Sequence, residues 1–238
     1  MAEGLRVLVS CEHGGNQVPA EQAHLFHDQA GLLAGHRGYD PGALELAHYL
    51  AAGLGAPLFA ATITRLLVDL NRSPGHRALF SEITKPLPRS EKQQILATHY
   101  HPHRQQVAEA AHRLAGHGRL LHLAIHSFTP VLHGQVRTAD IGLLYDSRRP
   151  PEREFCQRWQ QTIRALAPAL RVRCNYPYLG KNDGLATWLR RSLAADAYLG
   201  VELEVNQALF ASPPAQGQQA REVLLRSLQL LVADGHLD

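Results

Sequence analysis

The length, composition and charge of the chain are those of an ordinary globular protein. It has 238 residues, of which 45% are hydrophobic and 19% charged, so it can bury a sizeable core and does not resemble a disordered chain. The formal charge is only +3 and the 24 basic residues are spread between acids, which argues against nucleic-acid binding. The N-terminal apolar stretch is too short for a signal peptide, and no run approaches the roughly 20 residues of a membrane helix, so we expect a cytoplasmic protein. The three cysteines are scattered and indicate neither a disulfide framework nor a cysteine-rich zinc site.

Strand-like apolar runs alternate along the chain with segments of helical periodicity. The predicted strands are 6–11, 57–63, 121–127, 140–146 and 198–205. The predicted helices are 40–55, 89–118, 150–168, 184–195 and 215–235. Asp40 is a candidate N-cap of the first helix, Ser90 is a candidate N-cap of the second, and the second helix either continues through Pro102 or restarts there. The alternation predicts an α/β fold with a largely parallel sheet, and the absence of repeats or linkers favours one domain over residues 1–238.

Histidines stand at the ends of two predicted strands, where ligands bind in open α/β sheets. The first strand runs into Cys11-Glu12-His13-Gly14-Gly15-Asn16, and a simple turn would not require a histidine at the strand tip. His126 and Ser127 end a strongly apolar strand, and a buried imidazole there needs a polar partner. The stretch HYHPHR at 99–104 adds three more histidines, although these alone would also fit an exposed helix face.

Acidic and basic groups follow two other apolar runs. Asp69, Asn71 and Arg72 lie in LLVDLNRSPG, where they either form a binding loop or are simply tied together by an arginine–carboxylate pair. Glu202 and Glu204 lie within one predicted strand and point to the same face, because strand side chains alternate with period two. Two carboxylates side by side in a buried strand need a cation, a shared proton or an arginine.

Histidines and acids that converge at strand ends favour metal-assisted hydrolysis. The sequence has no glycine-rich phosphate loop, no G-x-S-x-G elbow and no H-E-x-x-H motif. Zinc suits the remaining residue types, since catalytic zinc is commonly held by two histidines and a carboxylate with one position open to water. The metal activates the water and a nearby carboxylate takes its proton.

An ordered set of motifs resembles the N-formylglutamate amidohydrolase family nearly end to end. The motifs are SCEHGGNQVPA, HRGYDPGALELA, LLVDLNRSPG, HYHPHR, AIHSFTPV, DIGLLYD, NYPYLG and VELEVNQALF. The resemblance implies a zinc-carboxypeptidase-like α/β/α fold with three layers around a mixed, largely parallel sheet of about eight strands. It also implies hydrolysis of an amide, as when N-formyl-L-glutamate gives formate and glutamate in histidine breakdown.

The resemblance also implies where the metal and the base lie. The first motif is similar to the H-x-x-E loop of carboxypeptidases and aspartoacylase, but here it reads His13-Gly-Gly-Asn16, and asparagine is a poor zinc ligand. We therefore expect zinc at His13, His126 and Asp40, with Asn16 as the alternative third ligand and helix capping as the alternative role of Asp40. Glu204 is the expected general base, and its neighbour Glu202 is the alternative base.

Substrate contacts are assigned in the same way. Asp69-Leu70-Asn71-Arg72 matches the substrate-carboxylate motif of aspartoacylase, so Arg72 with Asn71 is expected to clamp the carboxylate of a small-molecule substrate. His103 or His99 would donate to the oxyanion, and Ser127 would line the substrate site. Typical members have Glu-Leu-Asn-Arg where this chain has Glu204-Val205-Asn206-Gln207. The loss of that arginine weakens the case for glutamate as the acidic part of the substrate. The competing hypotheses are a non-catalytic protein that binds a small acidic metabolite, and a zinc carboxypeptidase with a wider cleft.

Overall fold

The structure is a computed structural model that describes residues 5–211 and 214–234. The strands are β1 (Arg6–Cys11), β2 (Leu58–Ala60), β3 (Leu120–Phe128), β4 (Val131–Leu132), β5 (Gln135–Val136), β6 (Ile141–Leu144), β7 (Val172–Cys174) and β8 (Tyr198–Asn206). The α-helices are α1 (Ala30–Ala34), α2 (Ala43–Leu54), α3 (Arg89–Ile95), α4 (His101–Ala115), α5 (Pro150–Leu166), α6 (Leu185–Leu189), α7 (Ala208–Ala211) and α8 (Pro214–Asp234). A 3₁₀ helix covers Ala20–Phe26, and a π-helical turn at Leu96–Tyr100 joins α3 to α4.

The central sheet is mixed and largely parallel, as predicted. Its strand order is β2-β1-β3-β8-β6-β7, and every neighbouring pair is parallel except β6 and β8. Among the described residues this sheet has six strands and not about eight, because β4 and β5 form a separate two-stranded antiparallel hairpin. The short strands β4, β5 and β7 were not predicted, since two or three residues give no readable alternation.

Helices cover both faces of the sheet, which gives the three layers expected from the sequence. One face packs Val9, Leu123 and Leu203 against α2, α5 and α8. The opposite face packs Leu8 and Tyr198 against α4 and α6. Residues of alternating number on each strand therefore point into different cores, as the pleat of a strand requires. None of the described helices is both long and apolar enough to cross a membrane.

A third apolar cluster supports the loop between β2 and α3. Leu67 and Leu70 in this loop pack with Phe26, Ile95 and Tyr100. The cluster holds a long irregular segment against the carboxyl end of the sheet without a strand or helix of its own. It thereby fixes the loop that carries the Asp-Leu-Asn-Arg motif.

Two predicted helix caps are wrong. Helix α2 begins only at Ala43, and its N-cap is Gly42, which has a left-handed φ of 80° and no side-chain cap. Asp40 therefore lies before the helix and does not cap it. Ser90 lies inside α3, whose N-cap is Pro88. The helical segment does continue through Pro102, which lies in the first turn of α4 directly after the π-helical turn.

Candidate metal centre and active-site cleft

The register of β3 with β8 brings the predicted histidine and glutamates together. His126 lies beside Glu204, and Ala124 lies beside Glu202, in adjacent parallel strands. Both glutamates point to the face of the sheet that carries α4 and α6, as their spacing predicts. On the other side of Glu204 the antiparallel strand β6 offers Gly142. The small Ala124 and Gly142 leave room for the carboxylates.

Three buried side chains from separate segments meet at the carboxyl end of the sheet. The Oδ2 atom of Asp40 lies 2.9 Å from Nδ1 of His126 and 3.4 Å from Nδ1 of His13. One ligand atom from each residue can be chosen so that all three lie within 4.8 Å of one another. These are the three residues predicted to hold a metal, and the spacing of their donor atoms is suitable for one.

The other nitrogen of each histidine faces a second carboxylate. Nε2 of His13 lies 2.7 Å from Oδ1 of Asp69, and Nε2 of His126 lies 3.3 Å from Oε2 of Glu12. In metal sites a ligating histidine usually donates its other N–H to a carboxylate, which fixes the tautomer and the ring orientation. Asp69 makes such a hydrogen bond with His13, and Glu12 lies beside Nε2 of His126, which is also 3.4 Å from Nδ2 of Asn71.

Arg65 ties the two aspartates of the cluster together. Its Nη1 donates to Oδ1 of Asp40 at 3.2 Å, and its Nη2 donates to Oδ2 of Asp69 at 2.9 Å. Asp40 thus presents one oxygen to the arginine and the other to the histidines. Arg65 thereby orients the Asp40 carboxylate, the expected third ligand, with Oδ2 toward the histidines.

The charged groups of this cluster strongly shift one another's pKa values. Burial alone would raise the pKa of Asp40 and of Asp69, but His13 and Arg65 hold both pKa values well below the ordinary range. Burial would also lower the pKa of His126, yet Asp40 and Glu12 raise it well above the usual value. Metal binding and protonation at Nδ1 compete for one lone pair, so a bound cation would release a proton here.

The two glutamates have pKa values shifted in the opposite direction from the aspartates. Burial, with added repulsion from Asp40 and Glu202, raises the pKa of Glu204 to about 7. Burial also raises the pKa of Glu202. The Oε2 atom of Glu204 is buried and has no hydrogen-bond partner among the described residues. A nearby divalent cation would stabilise the ionised form of both.

The charged groups and the ligand atoms of the cluster fit a metal ion. Five carboxylates stand around the two histidines (Glu12, Asp40, Asp69, Glu202 and Glu204), and Arg65 pairs with two of them, Asp40 and Asp69. Two imidazoles and a carboxylate with mutually close donor atoms are ligands that transition metals accept. The raised pKa values of Glu202 and Glu204 and the unpartnered Glu204 oxygen favour a cation at this position.

A cleft of about 240 Å³ opens beside the cluster. Its walls come from the Asp40 segment, the loop after β2, the ends of β3 and β8, the β4 strand and the 178–183 loop. The lining residues are His13, His36, Asp40, Arg65, Asn71, Arg72, His126, Ser127, Phe128, Thr129, Leu132, Tyr178, Leu179, Asn182, Asp183, Glu202, Glu204 and Gln207. The cleft therefore contains most of the predicted site.

Hydrogen bonds of both its side chain and its backbone hold Arg72 at the cleft wall. Its Nη1 donates to the backbone oxygen of Asp183 at 2.7 Å. Its own carbonyl oxygen accepts hydrogen bonds from the Tyr100 hydroxyl at 2.6 Å and from Arg104 at 3.3 Å. Asn71 is fixed too, because its Oδ1 accepts from the backbone N–H of Leu185 at 2.6 Å. These hydrogen bonds fix the orientation of the motif toward the cleft.

Three other predicted residues are placed elsewhere. His103 is buried behind Glu12, with Nε2 3.7 Å from Oε1, and it does not line the cleft as an oxyanion donor would. His99 lies on the π turn outside the cleft, where burial lowers its pKa. The amide nitrogen of Asn16 donates to the backbone oxygen of Leu33, and Asn16 does not line the cleft. Ser127 does line the cleft, and its hydroxyl donates to the backbone oxygen of Pro41.

Sequence reasoning missed three members of the site. Glu12 had a readable signal: it follows Leu8 and Ser10 at period two, and Ser10 pairs with Ala124 on the face that carries His126. Arg65 gave no signal, because its contacts depend on the packing of an irregular loop. Asp183 could not be predicted either, since it lies 111 residues from its partner Arg72 in the sequence.

Fold and site together define an α/β protein with a candidate metal centre and an acidic cleft at the carboxyl ends of its strands. The chain belongs to the N-formylglutamate amidohydrolase family, a family of hydrolases, which it matches over residues 5–211. The resemblance read from the motifs is thereby confirmed. A search of curated proteins found no significant match.

Three solved structures are similar to this chain, and the first of them has the same fold. A gene product from Agrobacterium tumefaciens is 30% identical, with a TM-score of 0.75, and the alignment covers 96% of this chain and 92% of that one. A metallo-carboxypeptidase from Pseudomonas aeruginosa, in complex with (2-guanidinoethylmercapto)succinic acid, is 13% identical with a TM-score of 0.42. A protein named as a candidate carboxypeptidase A from Shewanella denitrificans is 14% identical with a TM-score of 0.44. These last two alignments each cover 98% of this chain and 58% of the other.

Proposed function

We propose that the protein is a zinc-dependent hydrolase that cleaves the amide bond of a small N-acyl amino acid, a substrate of the N-formyl-L-glutamate type. The observation that carries the proposal is the close set of His13, Asp40 and His126 in one cleft with Glu204 and Arg72. Membership of an amidohydrolase family supports the reaction class.

His13, Asp40 and His126 would hold the zinc ion. Two histidines and one carboxylate are a common ligand set for catalytic zinc and leave a coordination position open. Bound zinc would supply Lewis acidity to the scissile carbonyl and to the attacking water. Glu12 and Asp69 would keep the Nε2 protons of the two histidines in place, so that both Nδ1 atoms remain free to bind.

Arg72 would bind the carboxylate of the substrate. A guanidinium presents two parallel N–H donors that match a carboxylate, and this one is held at the cleft wall by Asp183 and by its anchored backbone. Asn71, whose own side chain is fixed by Leu185, would set the position of Arg72 and of the loop. The substrate amide would then lie between Arg72 and the candidate metal centre.

Glu204 would carry the proton during hydrolysis. Its carboxylate would accept a proton from the attacking water and pass it to the amide nitrogen as the C–N bond breaks, which yields a carboxylic acid and a free amino acid. A group whose pKa lies near neutrality is suited to both steps, and its unpartnered Oε2 is available for them. Glu202 would assist as a second charge on the same strand face.

The size of the cleft favours a small substrate over a peptide. About 240 Å³ is below the range of roughly 300–1,000 Å³ that drug-sized ligand sites occupy. This observation supports an N-acyl amino acid hydrolase more than the alternative of a zinc carboxypeptidase with a wide cleft.

Metal analysis combined with a substrate screen tests the proposal. The purified protein should contain zinc in a one-to-one ratio, and the zinc-loaded protein should hydrolyse one or more of the N-formyl, N-acetyl and N-carbamoyl amino acids. His13→Ala and His126→Ala should each lose zinc and activity while circular dichroism shows an intact fold. A metal-free protein that binds small acids without hydrolysing any of them would instead support the non-catalytic alternative.

A further inference from the structure

Arg104, the last residue of the HYHPHR stretch, is a buried guanidinium without a carboxylate partner. Only 3% of it is exposed, and it forms no ion pair with any carboxylate of the described residues. Its Nη2 atom is buried and has no hydrogen-bond partner among those residues. Burial lowers the pKa of this guanidinium, because a buried charge without an opposite charge beside it costs free energy. Packing alone therefore does not account for an arginine at this position.

The Nη1 atom of Arg104 holds the backbone of the Asp-Leu-Asn-Arg motif. It donates to the backbone oxygen of Leu70 at 3.0 Å and to that of Arg72 at 3.3 Å. These oxygens belong to the peptide groups before Asn71 and after Arg72, so the two contacts bracket the residues whose side chains reach the cleft. Tyr100 adds a third contact, since its hydroxyl donates to the Arg72 oxygen at 2.6 Å.

Two aromatic rings fix the plane of the Arg104 guanidinium. Its Cζ atom lies 5.1 Å from the centre of the Tyr100 ring and 4.7 Å from the centre of the Trp188 ring. Such contacts stabilise a guanidinium and restrict its orientation. Trp188 belongs to α6, the helix whose first residue, Leu185, donates to the Asn71 side chain. Arg104 thus joins α4, α6 and the motif.

We propose that Arg104 is a positioning residue for Arg72 and sets the affinity of the cleft for the substrate carboxylate without touching the substrate. The inference rests on the proposed function and deepens it at the carboxylate site. Arg104 does not line the cleft, so its effect on substrate binding passes through the Arg72 loop. In this proposal the HYHPHR stretch serves substrate binding through Tyr100 and Arg104, in place of the oxyanion donors expected from its histidines.

The kinetics of Arg104→Met test the proposal. Methionine keeps an unbranched apolar side chain between the two rings but loses both contacts with the motif. With zinc-loaded protein and N-formyl-L-glutamate, we expect KM to rise roughly 10–100-fold, because a displacement of about 1 Å greatly weakens an oriented contact, whereas kcat and zinc content stay the same. A folded, zinc-containing variant with the wild-type KM would overturn the proposal.

A neutral analogue separates a positioning role from a merely structural one. In the diamide of N-formyl-L-glutamate both carboxylates are replaced by carboxamides, so the compound offers no anion to Arg72. Arg104→Met should lower kcat/KM for the acid and leave kcat/KM for the diamide at the wild-type value. An equal loss for the two compounds would mean that Arg104 supports the cleft as a whole, which would refute the inference.

Tyr100→Phe provides a second variant that keeps the ring against Arg104 and removes only the hydroxyl. It should raise KM for N-formyl-L-glutamate in the same direction as Arg104→Met but less, since one of the three backbone contacts is lost. If Arg104→Met does not fold, this variant decides. A raised KM with unchanged kcat then supports the inference, and a wild-type KM overturns it.

Arg149→Met is the matched control, because Arg149 is another largely buried arginine that holds backbone oxygens. It donates to those of Arg190, Leu193 and Tyr198, each at 3.3 Å, and it lies outside the cleft. The control should have a lower Tm and a wild-type KM. A KM raised as much as in Arg104→Met would show that lost stability explains the effect, and the inference would fail.

Ligand binding distinguishes failure of this inference from failure of the proposed function. If the wild-type protein hydrolyses neither compound, the proposed function fails, and calorimetry with the uncleaved compounds still tests Arg104. A lower affinity of Arg104→Met for N-formyl-L-glutamate, with an unchanged affinity for the diamide, supports the inference. Equal affinities of the wild type and the variant for N-formyl-L-glutamate refute it.

Discussion

At the scale of single residues, the carboxylates of the site have different pKa values because they lie in different surroundings. Asp40 and Asp69 face Arg65 and are held ionised, whereas burial raises the pKa of Glu204 to about 7. The first two can therefore act as permanent negative charges, and Glu204 can exchange a proton near neutral pH. This difference agrees with the proposed roles, in which Asp40 and Asp69 hold and orient other groups and Glu204 moves a proton.

Replacement of the two glutamates distinguishes their roles. Glu204→Gln should retain zinc and substrate but lower kcat by on the order of 10²–10⁴-fold, because the amide cannot accept the proton of the attacking water. Glu202→Gln should have a smaller effect on kcat. Steady-state kinetics with metal analysis of both variants provide the measurement. An inactive Glu202→Gln beside an active Glu204→Gln would show that the base is the other glutamate.

Glu12 offers a second residue-scale prediction. Because it faces Nε2 of His126, Glu12→Gln should weaken zinc binding by roughly 10–100-fold, the usual effect of removing an outer carboxylate. Competition with a chromophoric chelator measures the affinity directly. Glu21→Gln, an exposed change of the same kind, is the control and should bind zinc as wild type does. Equal affinities in the two variants would mean that Glu12 does not support His126.

At the scale of elements, strand pairing explains which parts of the site could be predicted from sequence. His126, Glu202 and Glu204 lie in long strands whose alternation and ends are readable, and their convergence follows from parallel pairing. His103 could not be placed, since the phase of α4 depends on a π turn for which the sequence has no clear signal. Arg65 could not be placed either, because tertiary packing and not periodicity positions its loop.

Strand β6 has a specific packing requirement next to Glu204. A Cβ at Gly142 would overlap the backbone oxygen of Tyr176, which cannot move as a side chain can. Gly142→Ala should therefore destabilise the protein by about 1–3 kcal/mol and lower Tm by about 2–12 °C. The control is Gly31→Ala in α1, where no atom lies within 4 Å and Tm should stay or rise. Calorimetry of both variants would show the contrast, and an equal Tm would contradict the steric argument.

At the scale of the whole molecule, the buried charges link stability to pH. The pKa of Glu204 is raised to about 7 and that of His126 is raised above its ordinary value, so both groups bind protons more tightly in the folded state. Their contribution is fully present below the unfolded pKa values and is lost as pH rises through the folded ones. Glu12, Asp40 and Asp69 have lowered pKa values, so their contribution is lost only in acid.

The metal-free protein should accordingly become less stable between about pH 5.5 and pH 8. Thermal unfolding after chelation measures this slope. Added zinc should raise Tm more at pH 8 than at pH 5.5, because its ligands must lose their protons to bind. A zinc-induced rise in Tm that is the same at both pH values would indicate that the ligands are not the protonated groups of this cluster.

The π turn at Leu96–Tyr100 restricts how the length of the chain can vary. Such a turn contains one residue more than an α-helical turn, so α3 and α4 form one rod whose halves are out of phase. Ile95 faces the cluster under the Asp-Leu-Asn-Arg loop, and Val107 faces the sheet. Deletion of an exposed residue such as Thr98 would restore the helical phase and rotate one half by about 100° relative to the other. One of the two apolar faces would then turn toward solvent, so the exposed positions of this turn, such as Thr98, tolerate substitution but not deletion.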